Sequence, residues 1–327
     1  MRSHLNKIRR YSIYEENAVE NTVLCCYQTH NEADRPIFTK TIMEIADNKT
    51  ELTVLGLPAE QGRWLFIPLG MTVLLCAGSV YTWSIFRKSL EADLNISATA
   101  SLLPYTFALV FYSAFVLIAG AYISRLGVRL VTALGGIAIG LGYILSSFAG
   151  HIGILTITYG VIAGTGVGTV YGVPMVVVAQ WFPDKKGLAV GATILGFGLS
   201  PFITAPLANY LIDTYTVRPT LLFLGIVFMA IVLGISVLLK LPPQGWHPRR
   251  YQLSAATTDS RTYPSKLLKS RSFYGLWLCY IIGTLIGLSA IGISGPVGEE
   301  IIKVKPEFAA SSVAVFALFN GLSRPLF

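Results

Sequence analysis

Hydrophobic positions are not spread evenly along this chain. From Trp64 onward, eight long apolar stretches follow one another, separated by short polar breaks. A run of about 18 or more apolar residues marks a helix crossing a hydrocarbon core ~30 Å thick. The pattern predicts helices over 64–86, 102–123, 128–149, 152–179, 188–211, 220–239 and 273–293, and an eighth that begins near 308 and is cut off at 327. The expectation is an all-α polytopic membrane protein. Residues 63–240 form a six-helix amino-terminal bundle. A polar linker at 241–271 holds Pro242, Pro243, Pro248 and Pro264, and residues 272–327 start a second bundle. Residues 1–62 show neither helical nor alternating periodicity and contain no apolar core of a secretory signal, so they read as a largely disordered polar tail. Phe107-Ala108-Leu109 in the second span recurs as Phe316-Ala317-Leu318 in the eighth, at an offset of 209 residues, which suggests two related halves.

Composition changes the picture only in degree. Apolar residues make up 53% of the chain and charged ones 13%, against about 25% charged in soluble domains. The net charge of +8 would suggest nucleic acid in a soluble protein, but here the basic residues sit in loops. Arg125 and Arg129, Lys185 and Lys186, and seven basic residues from Lys240 to Arg271 fall on one side, with Asp184 and Asp259 as the acids there. Arg87, Lys88, Arg218, Lys303 and Lys305 fall on the other, facing six acids. The positive-inside bias puts the first group, the linker and the amino terminus in the cytoplasm, with the plasma (inner) membrane as the expected location. No nucleic-acid partner is expected.

Catalytic chemistry finds little support. No carboxylate lies inside the first seven proposed spans, and His151 falls in a loop. Cys25, Cys26, Cys76 and Cys279 have no metal-ligand spacing, so neither metal nor cofactor is expected. Gly164-x-Gly166-x-Gly168 lies in a long apolar span without a preceding strand or a Lys-Ser/Thr ending; it reads as close helix packing, not a phosphate loop. Gly187, Gly196, Pro201 and Pro206 in the fifth span read as a structural kink.

The loop after the second span reads Gly120-Ala121-Tyr122-Ile123-Ser124-Arg125-Leu126-Gly127-Val128-Arg129. It resembles the G-x-x-x-D-R-x-G-R-R loop of the major facilitator superfamily, with Ser124 in place of the acid and Val128 in place of one arginine. Further segments narrow the resemblance. They are Gly78-Ser79-Val80-Tyr81-Thr82-Trp83 and the glycine-rich fourth span with Tyr171 and Pro174. They also include Trp181-Phe182-Pro183-Asp184-Lys185-Lys186-Gly187, Gly196-Phe197-Gly198, and Asn320-Gly321-Leu322-Ser323-Arg324-Pro325-Leu326-Phe327. Together they are similar to the oxalate/formate antiporter family, from Leu57 to the end of the chain.

The resemblance implies a major facilitator bundle and a conformational latch at Gly120, Arg125, Gly127 and Arg129. It also implies a substrate-binding arginine at Arg324, with Tyr81 and Tyr171, and with them Trp83, lining a cavity. Arg324 has a physical argument of its own. By the repeat offset it lies opposite Phe115, ten residues from Arg125, which is ~15 Å along a helix and close to the midplane. An arginine there costs about 2.5–3.5 kcal/mol on insertion scales, which favours a cavity and an anionic partner. The alternative is an arginine snorkelling to the interface; for the aromatics, and for Trp83 above all, it is an interfacial belt.

The function expected is secondary transport of small organic anions such as oxalate or formate, by a protein monomeric when full length. A monocarboxylate/proton symporter is one alternative. A transport-inactive membrane-embedded fragment or interaction partner is another, since the family's second cationic residue lies beyond this chain.

Overall fold

A computed structural model describes residues 52–243, 246–248, 269–296, 302–303 and 319. The chain divides into two units, Met1–Thr53 and Val54–Phe327, and the architecture below is that of the second. Among the described residues, six helices are long and apolar enough to cross a membrane. They are α1 (Ala59–Leu94), α2 (Ala100–Leu126), α3 (Val128–Ser147), α4 (Ile152–Trp181), α5 (Lys186–Tyr215) and α6 (Val217–Leu238). A further helix, α7 (Arg271–Pro296), follows the linker. The eighth expected span lies outside the described residues except for Phe319, which is helical.

The first seven spans appear where the apolar pattern put them, and α1, α2, α4 and α5 outrun their apolar segments. Beyond residue 86, α1 continues through an amphipathic end in which Phe86 and Leu90 are buried and Arg87 pairs with Glu91 at 2.6 Å. Asn95 ends it in the left-handed conformation. The hairpin between α2 and α3 is a one-residue connection. Gly127 alone separates them, at φ +80°, its N–H donating to the Ile123 carbonyl at 2.9 Å. A side chain at that φ would be strained, which is why the motif carries glycine there.

Helix α4 is the hub and packs on α1, α2, α3 and α5. Its glycines do this from two faces. A Cβ at Gly160, Gly164 or Gly168 would stand 2.9, 2.7 or 2.4 Å from carbonyl oxygens of Pro104, Ala108 and Tyr112 in α2. One at Gly166 would meet the Ile139 nitrogen of α3 at 2.5 Å. Spacing by four keeps residues 160, 164 and 168 on one stripe, and residue 166 falls on another. The glycine run is thus a packing device, as its place in an apolar span suggested. Backbones this close gain dispersion contact that lipid cannot supply equally well.

Besides 3-10 turns near the starts of α1 (Arg63–Leu65) and α2 (Ala100–Leu102), two segments inside helices depart from α geometry. Residues Ser79–Thr82 of α1 form a 3-10 turn, and Thr156–Ala163 of α4 form a π-helical segment. No residue signature announces these two.

Candidate substrate site

Four helices each send one ring to a common point. Phe197 of α5 is fully buried and forms the centre. Tyr81 of α1 meets it edge-on at 5.2 Å, Tyr171 of α4 edge-on at 5.0 Å, and Tyr112 of α2 lies stacked at 6.1 Å. Tyr112 and Tyr171 also contact one another at 5.4 Å and 85°. All three tyrosines are half-buried. Edge-to-face packing satisfies the ring quadrupoles and fixes each ring. A phenol O–H donates one hydrogen bond, and three on one aromatic floor can serve a planar carboxylate. Of the residues expected from sequence, Tyr81 and Tyr171 therefore come together. Tyr112 and Phe197 join them unannounced.

Trp83 is placed elsewhere. Its side chain is 2% exposed, its indole N–H donates to the Ser101 carbonyl at 3.0 Å, and its ring lies 4.4 Å from that of Tyr159. It faces neither the tyrosine group nor the outside. Arg324 lies outside the described residues.

The expected latch residues divide in the same way. Arg129 donates through Nε to the Leu239 carbonyl at 3.0 Å and so clips the end of α6 to the start of α3. Arg125 and Gly120 are exposed, and a Cβ at Gly120 would meet nothing within 4 Å. Gly127 serves the hairpin described above.

A stronger tie at this end of the bundle was not foreseen. Arg63, where α1 begins, makes a two-pronged pair with Asp184 of the α4–α5 loop, Nη1 to Oδ1 at 2.6 Å and Nη2 to Oδ2 at 3.0 Å. Nη1 also donates to the Trp181 carbonyl at 3.2 Å. The guanidinium lies over Phe182, 4.6 Å from its centroid. Trp181 stacks on Phe66 and donates its indole N–H to the Lys240 carbonyl at 2.7 Å. The guanidinium's paired N–H donors hold the Asp184 carboxyl below the usual carboxylate range. The signal available was modest: one arginine at the mouth of the first span, and one acid in a basic loop.

The Arg63–Asp184 pair sets a measurable expectation. Its side chains are 9% and 22% exposed, between the exposed pairs worth about 0–1 kcal/mol and the buried ones whose breakage costs about 3–5 kcal/mol. Asp184→Asn should therefore lower the stability of the detergent-solubilised protein by about 2 kcal/mol at pH 7, read by thermal unfolding. A depressed carboxylate pKa contributes stability that is full above the ordinary value of about 4 and is lost as pH falls through the depressed one. The gap between the two proteins should thus stay constant from pH 8 to 5 and close only below. A gap that closes between pH 7 and 5 would contradict this assignment.

Comparison with known proteins agrees with the architecture and the motifs. The family model described as Major Facilitator Superfamily matches residues 69–327. The chain is 26% identical over 265 residues to the oxalate:formate antiporter of Oxalobacter formigenes, covering 80% of this chain and 62% of that protein. It is 25% identical over 268 residues to YhjX of Escherichia coli K12, described as an uncharacterized MFS-type transporter, covering 81% and 65%. Monocarboxylate transporter 14 of Homo sapiens is 32% identical over 124 residues, which are 38% of this chain and 24% of that one. The chain thus spans less than two thirds of the length of these relatives. With six apolar helices in one bundle and a match over most of its length, this chain belongs to the major facilitator superfamily, a family of membrane transporters rather than enzymes.

Proposed function

We propose that the full-length protein is a secondary carrier of small carboxylates, with oxalate or formate as the first candidates, exchanging one anion for another by alternating access. The observation that carries this reading is the convergence of Tyr81, Tyr112 and Tyr171 on Phe197. The group supplies hydrogen-bond donors from three helices on a rigid apolar floor. It has no positive charge of its own, and an anion in low dielectric needs one. Arg324 is the residue we assign to that role, with the guanidinium fork facing the carboxylate and the phenols trimming its orientation. Among the relatives, one is named for oxalate and formate exchange and others for monocarboxylates, which supports the substrate class. We place the Asp184 end of the bundle, the linker and the amino terminus in the cytoplasm, on the loop charges.

Tyrosine-to-phenylalanine variants test the site, because they keep ring packing and remove only the donor. A hydrogen bond to a charged group contributes about 1.5–3 kcal/mol. Tyr81→Phe and Tyr171→Phe in the full-length protein should each raise the KM for carboxylate uptake into proteoliposomes by roughly ten-fold or more. Trp83→Phe should instead act through stability, with KM little changed in the protein that remains folded. Unaltered KM in both tyrosine variants would remove the ring cluster from the binding site.

A further inference from the structure

The 3-10 turn that carries Tyr81 is pinned on three sides. Ser79, at its start, lies with its hydroxyl 2.8 Å from that of Tyr143 in α3. The hydroxyls of Thr82 and Thr204 in α5 are 2.6 Å apart. Trp83, the residue after the turn, donates to Ser101 at the head of α2. Tyr81 is thus the half-buried member of a segment otherwise fixed by three different helices, and its ring is the one that meets Phe197.

The pin to α3 differs from the others in reaching further. Ser79 has a single hydroxyl proton, and it donates to the Cys76 carbonyl at 2.7 Å. Tyr143 must therefore be the donor to Ser79. The Tyr143 oxygen in turn lies 3.5 Å from the Tyr159 hydroxyl, which leaves Tyr159 as donor in that contact. Tyr159 belongs to the π-helical segment of α4. The relay Tyr159→Tyr143→Ser79 thus joins the mid-helix 3-10 turn of α1 to the π-helical segment of α4. One of them carries Tyr81, and the helix that contains the other carries Tyr171. Tyr143 and Tyr159 are each 1% exposed, and Tyr143 is packed edge-on against Phe86, Tyr159 and Phe228. π-helical insertions recur at functional sites, and buried hydroxyl chains hold geometry because an unpaired member is penalised.

We propose that Tyr143 is a positioning residue for the substrate site: its hydroxyl fixes the 3-10 turn of α1 against α4 and so sets where Tyr81 presents its own hydroxyl to the carboxylate. This rests on the reading of Tyr81 as a substrate donor, and it adds a residue from a helix that contributes no ring to the site. Tyr143 touches no substrate; it acts through Ser79.

The test is a double-variant cycle in the full-length protein, with carboxylate uptake measured in proteoliposomes. Tyr143→Phe keeps the ring and removes the hydroxyl. It should raise KM about three- to ten-fold with the maximal rate within two-fold. The same substitution in a Tyr81→Phe background should leave KM where Tyr81→Phe alone put it. Ser79→Ala breaks the relay from the other side and should reproduce the KM shift, which keeps the test open if Tyr143→Phe folds poorly. A merely structural tyrosine would lower the amount of active protein equally in both backgrounds and leave KM alone, and that result overturns the proposal. If Tyr81→Phe itself leaves KM unchanged, the substrate reading of Tyr81 fails and the relay falls with it. If Tyr81→Phe raises KM while neither Tyr143→Phe nor Ser79→Ala does, the site stands and the relay alone is refuted.

Discussion

Replacing Arg324 with glutamine is expected to abolish carboxylate uptake by the full-length protein while leaving it inserted in the membrane. The site as described holds phenols and a phenylalanine but no cation, so the anion's charge has to be met from another helix. On the reading proposed above, the 209-residue repeat offset sets Arg324 about 15 Å along a helix from the level of Arg125, where insertion would cost about 2.5–3.5 kcal/mol unless a cavity and a partner offset it. Truncating one partner of a desolvated charge pair costs about 2–5 kcal/mol, which is a loss of roughly 30-fold to several thousand-fold in affinity. Glutamine keeps an amide donor but loses the charge and part of the reach. Arg324→Lys keeps the charge and loses the two-pronged geometry, so it should fall between the two. Uptake by Arg324→Gln at the parental rate would mean that the cation of the site lies elsewhere.

The second large effect is expected from one methylene-rich side chain on α4. Gly168→Leu should prevent accumulation of folded protein, and Gly172→Leu on the same helix should not. At Gly168 a Cβ would stand 2.4 Å from the Tyr112 carbonyl oxygen and 2.9 Å from the Phe115 Cβ. The first of these is backbone and cannot swing away, so α2 as a whole would have to retreat from α4. Gly164 and Gly160 make the same kind of approach one and two turns earlier, so a local shift cannot absorb the strain. Overpacking costs typically about 1–3 kcal/mol where side chains can rearrange, and more where backbone blocks them. At Gly172 nothing lies within 4 Å of the added carbon. Size-exclusion profiles of the two variants in detergent decide the matter. Equal monodisperse yields would show that the α2–α4 approach is looser than described. Because Tyr112 sits at that contact, milder substitutions such as Gly168→Ala should also disturb the ring cluster.

The spans were readable because lipid demands a simple pattern: about 20 apolar residues, charges outside, and glycine where backbones meet. Their ends were less so. Residues 87–94 look polar, yet Phe86 and Leu90 keep the bundle-facing stripe alive and carry α1 onward to Leu94. Tyr81 and Tyr171 could be named from motifs, and they do converge. Trp83 stands two residues from Tyr81, and two residues along a helix is more than half a turn, so the two cannot share a face. That much was available before any coordinates. Tyr112 was not, because nothing in Phe111-Tyr112-Ser113 says which side of α2 meets Phe197. The Arg63–Asp184 pair joins residues 121 positions apart, and only the packing of α1 on α4 brings them together. The 3-10 and π segments are invisible for a different reason: they are responses to neighbours, such as Tyr143 between Ser79 and Tyr159, and not to local propensity.

Transport of small carboxylates through a site floored by three tyrosines is the activity we propose for the full-length protein. The most direct test is uptake and counterflow with the purified full-length protein in proteoliposomes, using labelled oxalate and formate beside an amino acid, a sugar and a cationic amine. The expected result is accumulation of a carboxylate that is accelerated by unlabelled carboxylate inside, lost with Arg324→Gln and weakened in affinity by Tyr171→Phe. Accumulation of the neutral or cationic compounds in preference to every carboxylate, with Tyr171→Phe indistinguishable from the parent, would contradict it.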